Sequence, residues 1–385
     1  MSVRRSILFL TFLFALSFSV EAQEKQSVVD RFVKSFFENL TTINPKMDTN
    51  YVTKPLLPWS FTLDNSLISV GAGLHSDVFV TDYTGLGQNT APRIHASFDN
   101  RLQRHLHKKF GFSAGYGGLS LSAGMEVGSK SPGRSALISF SLRQPTYGAT
   151  VRYFKIHEYL DGTLSIDGVR DPYEFTSDYP AITRTVTGDV YYLFNGHRFD
   201  YKATQGCNID QRRSAGSVMV LAKYLQGDLS LDKGDLFMSS FTNGLYRYTT
   251  QQLSLGGGYS YNFVPLHKDT DDFKNGKGYR NLTFNFTALP MVSVYNHIYS
   301  MSALPDGSVK KTKTDGNIVP TVTLRTGLSF SWDRYGLVGT VVYNRFGFKG
   351  MKTTAWEDNN RVKNEYDTKV DFDDLTAKIS LVVRL

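Results

Sequence analysis

From Trp59 onward, apolar and polar side chains alternate along the chain with a period of two. A two-residue period is typical of a β-strand with one apolar and one polar face. The pattern is clear in 282–288, 322–332 and 375–385. It is clearest on one face of a single segment, formed by Leu253, Leu255, Gly257, Tyr259, Tyr261 and Phe263. The sequence therefore predicts an all-β fold.

The alternating segments fit a transmembrane antiparallel β-barrel over residues 51–385. Each segment is about ten residues long, which matches a tilted membrane-spanning strand and exceeds the usual strand of a soluble sandwich. Aromatic residues stand at the ends of apolar faces, as in Phe330 and Trp332, and the chain ends inside a strand at Leu385. A soluble exported β-sandwich that binds carbohydrate also alternates and stays open as an alternative.

Connection lengths predict how many strands the barrel has. Short turns are expected at 117–118, 144–146 and 333–336, and at Asn195-Gly196, a dipeptide that favours a type I′ hairpin. Longer connections are expected at 82–109, 128–135, 158–182, 232–250, 301–317 and 350–370. If Leu229 to Met238 is a strand, the count is about 14, with about 12 as the fallback, since such barrels have even strand numbers.

The first residues predict export. Arg4 and Arg5 precede the apolar run from Ile7 to Val20, and small residues follow at a cleavage position, so residues 1–22 are predicted to be a cleaved signal peptide. Residues 23–50 are predicted to form a periplasmic helix and linker. The apolar stripe of this amphipathic helix consists of Val28, Val29, Phe32, Val33, Phe36, Phe37 and Leu40. The predicted location is the outer membrane of a Gram-negative bacterium.

Composition and charge narrow the range of possible partners. Hydrophobic residues make up 41% of the chain and aromatic residues 14%, which excludes generic disorder and a coiled coil. The net charge of +8 is spread without a Lys/Arg block, so no nucleic-acid partner is predicted. Cys207 is the only cysteine, which excludes an intramolecular disulfide; no cofactor is predicted. The expected partners are outer-membrane lipid, lipopolysaccharide and, during biogenesis, the barrel-insertion machinery. The oligomeric state stays open.

If the apolar faces contact lipid, the opposite faces line the lumen. Two interpretations of the resulting charged lining stay open: the groups pair across a narrow lumen, or an excess of cations favours anions in a water-filled pore. Gln211, Arg213 and Ser217 fall on one face of a predicted strand and join the lining. The complete candidate lumen network is Glu126, Arg143, Arg152, Asp189, Asp200, Lys202, Gln211, Arg213, Ser217 and Arg325.

An enzyme is the competing class. A lipid-modifying outer-membrane barrel would need a nucleophile and a histidine base near its outer rim. The candidate bases are His95, His105, His107, His157 and His197, but no Gly-x-Ser-x-Gly elbow, zincin motif or P-loop accompanies them. We therefore predict no catalytic or metal site, and a barrel of structural or pore-like role with a polar, charged, partly plugged lumen.

Two central stretches carry a family resemblance. The residues from Gly188 to Ala203 (GDVYYLFNGHRFDYKA), followed by 211–217 (QRRSAGS), resemble an uncharacterised outer-membrane β-barrel family of the Bacteroidetes, known only as a domain of unknown function. Asp48 to Val52 and the Gly- and Ser-rich segment from Phe112 to Ser122 are similar to other parts of that family. The resemblance implies an outer-membrane barrel and brings no catalytic residues with it.

Overall fold

The computed structural model describes most of the chain from residue 47 onward. The predicted signal peptide and N-terminal helix lie outside the described residues. None of the described residues forms a helix long and apolar enough to span a membrane. The described ranges are 47–53, 59–82, 93–102, 106–116, 118–128, 133, 135–144, 146–205, 209–232, 244–269, 278–303, 307–316, 318–357 and 362–385.

These ranges contain sixteen β-strands. In chain order they are β1 (Trp59–Asp82), β2 (Arg93–Leu102), β3 (His107–Tyr116), β4 (Leu119–Glu126), β5 (Ala136–Arg143), β6 (Tyr147–Glu158), β7 (Leu160–Ile166), β8 (Tyr173–Thr176), β9 (Ala181–Leu193), β10 (Ala215–Ser230), β11 (Leu245–Lys268), β12 (Arg280–Ala303), β13 (Val309–Asp315), β14 (Pro320–Trp332), β15 (Tyr335–Glu357) and β16 (Val362–Arg384).

All sixteen strands belong to one antiparallel sheet that closes on itself. The closure is the pairing of β1 with β16 along most of their length, from Ser60 opposite Arg384 to Asp82 opposite Val362. Twelve of the described strands follow one another around the closed circuit, in the order β1, β3, β4, β5, β6, β9, β10, β11, β12, β14, β15 and β16. The prediction of an all-β, antiparallel barrel is therefore confirmed.

The other four strands extend the wall beyond the circuit. β3 pairs with the first half of β1 and β2 with its second half, and β2 continues outward to β7 and β8. β13 pairs with the last part of β12. All four lie inside segments that were predicted to be long connections.

The predicted strand count of fourteen is wrong. Asn195-Gly196 does not start a hairpin, since residues 194–198 and 201–205 form turns. Leu229 belongs to the end of β10, and residues 233–243 lie outside the described ranges. The fallback of twelve equals the number of strands in the closed circuit.

The two ends of the barrel differ in their connections. At one end, which we call the short-turn end, a two-residue loop joins Tyr116 to Leu119, and another joins Trp332 to Tyr335. Asp333 in the second loop has a φ of 47°, a left-handed conformation that Asp tolerates in tight turns. The first residue of β1 and the last residue of β16 lie at the same end, where the backbones of Trp59 and Leu385 are hydrogen-bonded. We call the opposite end the long-loop end.

A belt of apolar side chains surrounds the wall next to the short-turn end. Alternate residues of each circuit strand point outward here, and many are large and exposed, such as Ile379 at 62% and Phe286 at 61%. Aromatic side chains border the belt on the short-turn side. They are Trp59, Tyr116, Tyr147, Phe194, Phe263, Trp332 and Tyr335. Many inward positions over the same height are polar and buried, as in Ser60, Thr62 and Asp64.

Nearer the long-loop end the alternation is reversed, so that apolar side chains point inward and polar side chains point outward. Along β1 the buried positions change from Ser66 to Ile68 and Val70, while the outward positions become polar. The same change occurs from Arg152 to Phe154 and from Lys223 to Leu225. The inward side chains at this height form one apolar cluster that fills the barrel, and we call it the upper apolar cluster. It includes Ile68, Val70, Phe98, Phe154, Ile156, Leu225, Leu229, Ile298, Phe346, Phe348, Val370 and Phe372.

The short-turn end is closed by chain that is not part of the sheet. Residues 195–205 and 209–214, together with 47–53, form what we call the plug. Its apolar side chains Phe199, Tyr201 and Tyr51 pack against inward side chains of the wall such as Leu193 and Met219. The upper apolar cluster thus closes the barrel toward the long-loop end, and the plug closes it at the short-turn end.

Candidate functional site

A cavity of about 240 Å³ lies between the upper apolar cluster and the plug, and we call it the central chamber. Its lining comes from most strands of the circuit and combines charged side chains with apolar ones such as Leu221 and Leu289. The charged lining residues are Asp64, Arg143, Arg152, Asp189, Lys223, Arg325 and Lys378. The structure therefore brings together, inside the barrel, charged groups that are far apart in the sequence.

Three of the cations in the central chamber have carboxylate partners on the wall. Arg152 forms an ion pair with Asp374 on β16. Lys223 lies 3.5 Å from Asp189 on the neighbouring strand β9. Lys378 lies 3.4 Å from Asp64 across the β1–β16 junction.

Neutral side chains join two of these pairs into a network. Lys223 Nζ donates to Thr323 Oγ1 at 3.0 Å and also to Asn344 Oδ1. Asn344 Nδ2 in turn donates to Asp374 at 2.5 Å. Two ion pairs from opposite parts of the wall are thereby connected, and this compensates the cost of burying their charges.

Arg143 and Arg325 differ from the other cations. Arg325 is only 7% exposed, and its Nε and Nη2 have no hydrogen-bond partner among the described residues. Its guanidinium lies over the ring of Tyr201 in the plug, 4.6 Å from the ring centre. Arg143 lines the central chamber and also a smaller cavity of about 100 Å³ beside the plug. Neither guanidinium forms an ion pair within the described part of the chain.

The candidate lumen network divides into groups in the structure. Arg143, Arg152, Asp189 and Arg325 line the central chamber. Glu126 lies above them and accepts a hydrogen bond from the buried His107 at 2.8 Å. The remaining candidates, Asp200, Lys202, Gln211, Arg213 and Ser217, lie in the plug or where β10 leaves it.

Gln211 is fully buried and holds the plug together. Its Oε1 accepts from the backbone N–H of Asp200 at 2.9 Å and from Asn262 Nδ2 at 3.0 Å. Its Nε2 donates to the carbonyl oxygens of Arg198 at 2.7 Å and Tyr51 at 3.1 Å. One amide side chain therefore joins two parts of the plug to each other and to the wall strand β11.

Other plug candidates contact the wall or solvent. Lys202 Nζ donates to the carbonyl oxygen of Arg143, and Ser217 Oγ accepts from the backbone N–H of Asn195 at 3.0 Å. The side chain of Arg213 is exposed rather than inward. The alternation of inward and outward positions does not apply to Arg213, because β10 begins only at Ala215 and residue 213 is not part of a strand.

Four wall residues of the three chamber ion pairs were absent from the candidates predicted from the sequence. These are Asp64, Lys223, Asp374 and Lys378. The period-two rule was sufficient to find them, since each has the parity of an inward position on its strand. Pairing could not be found this way, because the partners are set by strand order around the barrel.

Two of the histidines considered as catalytic bases, His95 and His107, have carboxylate partners. His107 Nε2 lies 2.8 Å from Glu158, opposite its contact with Glu126. His95 lies near the long-loop end between Asp77, at 3.2 Å, and Asp167, at 3.4 Å. His197 is exposed in the plug, and His157 lies beside Gly133. His105 lies outside the described residues.

No group of three or more His, Cys, Asp or Glu side chains in the described ranges is arranged to hold a metal ion. Charged and hydrogen-bonding side chains of the wall, with Tyr201 and Gln205 of the plug, line the central chamber. Its floor is the plug and its roof is the upper apolar cluster.

Solved structures similar to this chain are barrels with low identity. The outer membrane protease OmpT from Escherichia coli is 8% identical, with 84% of this chain and 97% of that chain covered and a TM-score of 0.30. A bacterial polysaccharide outer membrane secretin is 8% identical, with coverage of 82% and 98% and a TM-score of 0.28. The toluene transporter TodX from P. putida is 8% identical, with coverage of 86% and 93% and a TM-score of 0.23. All three TM-scores are low, so no activity is transferred from these proteins.

Sequence comparison gives a family without a known activity. No curated protein matches the chain. A family model does match, over a range that includes the whole central stretch from Gly188 to Ser217 on which the resemblance rests. Residues 79–270 match the family described as a domain of unknown function, DUF4421.

Proposed function

We propose that the protein is an integral outer-membrane β-barrel with a pore-like role, whose lumen is closed in its resting state. The observation that supports this most is the outward apolar belt around a closed ring of strands with polar inward faces. In hydrocarbon every backbone N–H and C=O must be bonded within the protein, and a closed ring meets this requirement. A belt bordered by aromatic side chains is the usual lipid-facing surface of such barrels.

The orientation follows from the connections. Barrels of this kind place short turns in the periplasm and longer loops outside the cell. The plug then faces the periplasm, and the upper apolar cluster lies outside the membrane. Outer-membrane lipid and lipopolysaccharide surround the belt, and the barrel-insertion machinery receives the exported chain.

A pore-like role requires both closures to open, and the plug is the one that can move more easily. The upper apolar cluster is made of strand residues, and opening it would expose its apolar core to water. The plug is a turn-rich segment outside the sheet, attached to the wall by individual contacts such as the hydrogen bond from Asn262 to Gln211. We therefore expect the plug to be the element that moves when the central chamber connects to the periplasm.

Membrane extraction tests the first part of this proposal. The protein, expressed in a Gram-negative host, is expected to stay in the outer-membrane fraction after a carbonate wash and to require detergent for release. Release by carbonate alone would reject membrane insertion of the barrel.

Planar-bilayer recordings test the pore-like role. The unmodified protein is expected to be nearly silent. The double variant Gln211→Ala/Phe372→Ala removes the amide that holds the plug and one aromatic ring of the upper apolar cluster, and it is expected to show discrete conductance steps. Arg213→Gln/Phe372→Ala is the matched control, because the side chain of Arg213 is exposed on the same segment as Gln211. Silence of a correctly folded Gln211→Ala/Phe372→Ala barrel would reject the pore-like role in favour of a scaffold.

A further inference from the structure

We propose that the central chamber binds a small oxyanion, carrying a carboxylate or phosphate group, between the guanidinium groups of Arg143 and Arg325. The inference rests on the pore-like role in that it names the class of solute, but binding itself does not require conduction. It follows from four features of the chamber: the charge balance, the state of Arg325, the positions of the two arginines and the size of the cavity.

The chamber contains more cations than anions. Arg152, Lys223 and Lys378 are each matched by one wall carboxylate, as described above. In the plug beneath, Asp200 interacts electrostatically with Lys202 and with Arg143. If the charge of Asp200 balances that of Lys202, every carboxylate at this height already balances one cation. Two positive charges remain, on Arg143 and Arg325.

Arg325 is a buried cation of the chamber that has no acidic partner among the described residues. A buried guanidinium without an anion or hydrogen-bond acceptors is costly, because it has lost its hydration. Arg325 is more than nine-tenths buried, two of its nitrogens have no acceptor among the described residues, and it lines the chamber. The ring of Tyr201 covers one face of the guanidinium and leaves the in-plane N–H groups available.

Arg143 approaches the same space from the opposite wall. It ends β5, and Arg325 lies on β14; these strands are six places apart in either direction around the circuit of twelve. Both residues nevertheless line one cavity, and their charges repel each other. The repulsion is relieved when an anion lies between them, since each guanidinium presents a planar fork of donors that matches a carboxylate or phosphate.

The size of the chamber limits the ligand. At about 240 Å³ the cavity is smaller than the roughly 300–1,000 Å³ of sites for drug-sized ligands. Apolar side chains from Met219 and Leu289 also contribute to the lining. The occupant is therefore expected to be a small anion, either inorganic phosphate or a short organic acid whose apolar part lies against these side chains.

The experiment measures binding in the purified full-length barrel, refolded in a non-ionic detergent in the presence of each salt so that the anion can enter. Thermal unfolding is followed with sodium phosphate, sodium butyrate and sodium chloride at equal ionic strength. We expect phosphate or butyrate, or both, to raise the unfolding temperature in a saturable way that chloride does not reproduce. The more effective salt identifies the phosphate or the carboxylate as the group bound.

Variants test whether stabilisation by the oxyanion depends on the two arginines. Arg325→Gln and Arg143→Gln are each expected to weaken the apparent affinity at least tenfold, while Arg213→Gln leaves it unchanged. Arg325→Gln is also expected to unfold at a higher temperature than the unmodified protein in chloride, because it removes an uncompensated buried charge. Arg325→Lys, which keeps the charge and loses the fork, serves if the glutamine variant does not fold.

Equal stabilisation by all three salts would overturn the proposal. So would oxyanion binding that persists at full strength in Arg325→Gln or, where that variant does not fold, in Arg325→Lys. Failure of the pore-like role is a separate outcome, since a barrel that stays silent in bilayers can still show saturable binding here.

Discussion

The carboxylate of Asp210 lies 3.1 Å from the guanidinium of Arg384, and both side chains are only 1% exposed. Asp210 belongs to the plug, and Arg384 is the last residue of β16. The same carboxylate accepts hydrogen bonds from Tyr279 at 2.8 Å and Ser331 at 3.0 Å. The plug is therefore attached to the barrel wall at the place where the final strand ends.

Removing one member of this pair is expected to destabilise the folded barrel. Asp210→Asn and Arg384→Met are each expected to lower the free energy of unfolding by about 3–5 kcal/mol, because the remaining charge is left buried without its partner. The measurement is urea unfolding of the refolded protein in lipid vesicles, followed by tryptophan fluorescence.

The double variant sharpens this prediction. If the two groups stabilise the fold as a pair, the loss in Asp210→Asn/Arg384→Met is smaller than the sum of the two single losses. Additive losses would show that the residues act independently. Arg213→Gln, exposed on the same segment, is expected to change the free energy of unfolding by less than about 0.5 kcal/mol.

The apolar belt predicts where a charge blocks membrane insertion. Phe286→Arg places a cation at a position that is 61% exposed on the belt and is expected to cost about 2–4 kcal/mol near the middle of the bilayer. Tyr173→Arg is the matched control, since Tyr173 is 60% exposed on β8, outside the closed circuit. Folding yield into vesicles is measured for both. Equal yields would argue against contact between the belt and hydrocarbon.

The upper apolar cluster predicts a different response to the loss of an aromatic ring. The rings of Phe346 and Phe372 lie 6.2 Å apart on β15 and β16, and both side chains are buried. Phe372→Ala is expected to cost about 3–5 kcal/mol because it leaves a cavity in a packed core. Phe286→Ala leaves no interior cavity and is expected to cost much less. Similar urea midpoints for the two variants would show that the cluster is not a packed core.

Alternation of apolar and polar residues was enough to predict the belt and the barrel class. It predicts which face of a strand is apolar, and the outward residues of β12, such as Phe284 and Phe286, follow the rule. The closure by the upper apolar cluster was not predicted. The reversal of phase between Ser66 and Ile68 is visible in the sequence, but its meaning depends on finding the same reversal at the same height on neighbouring strands.

The plug and the ion pairs were harder to predict for a different reason. Residues 197–206 alternate like a strand and follow an Asn-Gly pair, so local rules favour a hairpin. Contacts distant in sequence favour turns instead, since Gln211 bonds to the Tyr51 and Arg198 carbonyls. In the same way, Arg152 and Asp374 could each be assigned inward, but their pairing depends on the diameter of the closed circuit.

The cluster of His95, Asp77 and Asp167 near the long-loop end predicts that local stability depends on pH. The hydrogen bond to Asp77 raises the pKa of His95; partial burial lowers it, and the bond to Asp167 raises it further, so the pKa lies above its ordinary 6.5. Burial raises the pKa of Asp77, but contacts with His95, His75 and Lys369 outweigh it, so that pKa lies below its ordinary 3.8.

These shifts set the sign of the effect. The contribution of His95 is fully present below pH 6.5 and is lost as the pH rises through its raised pKa, while that of Asp77 is present above pH 3.8 and is lost as the pH falls through its lowered pKa. Amide exchange of the paired segments of β1 and β2, corrected for intrinsic rates, is therefore expected to be slower at about pH 5.5 than at about pH 8.5. His95→Gln should remove this difference, and His197→Gln, which changes an exposed histidine of the plug, should keep it. A difference that survives in His95→Gln would assign the pH dependence to other groups.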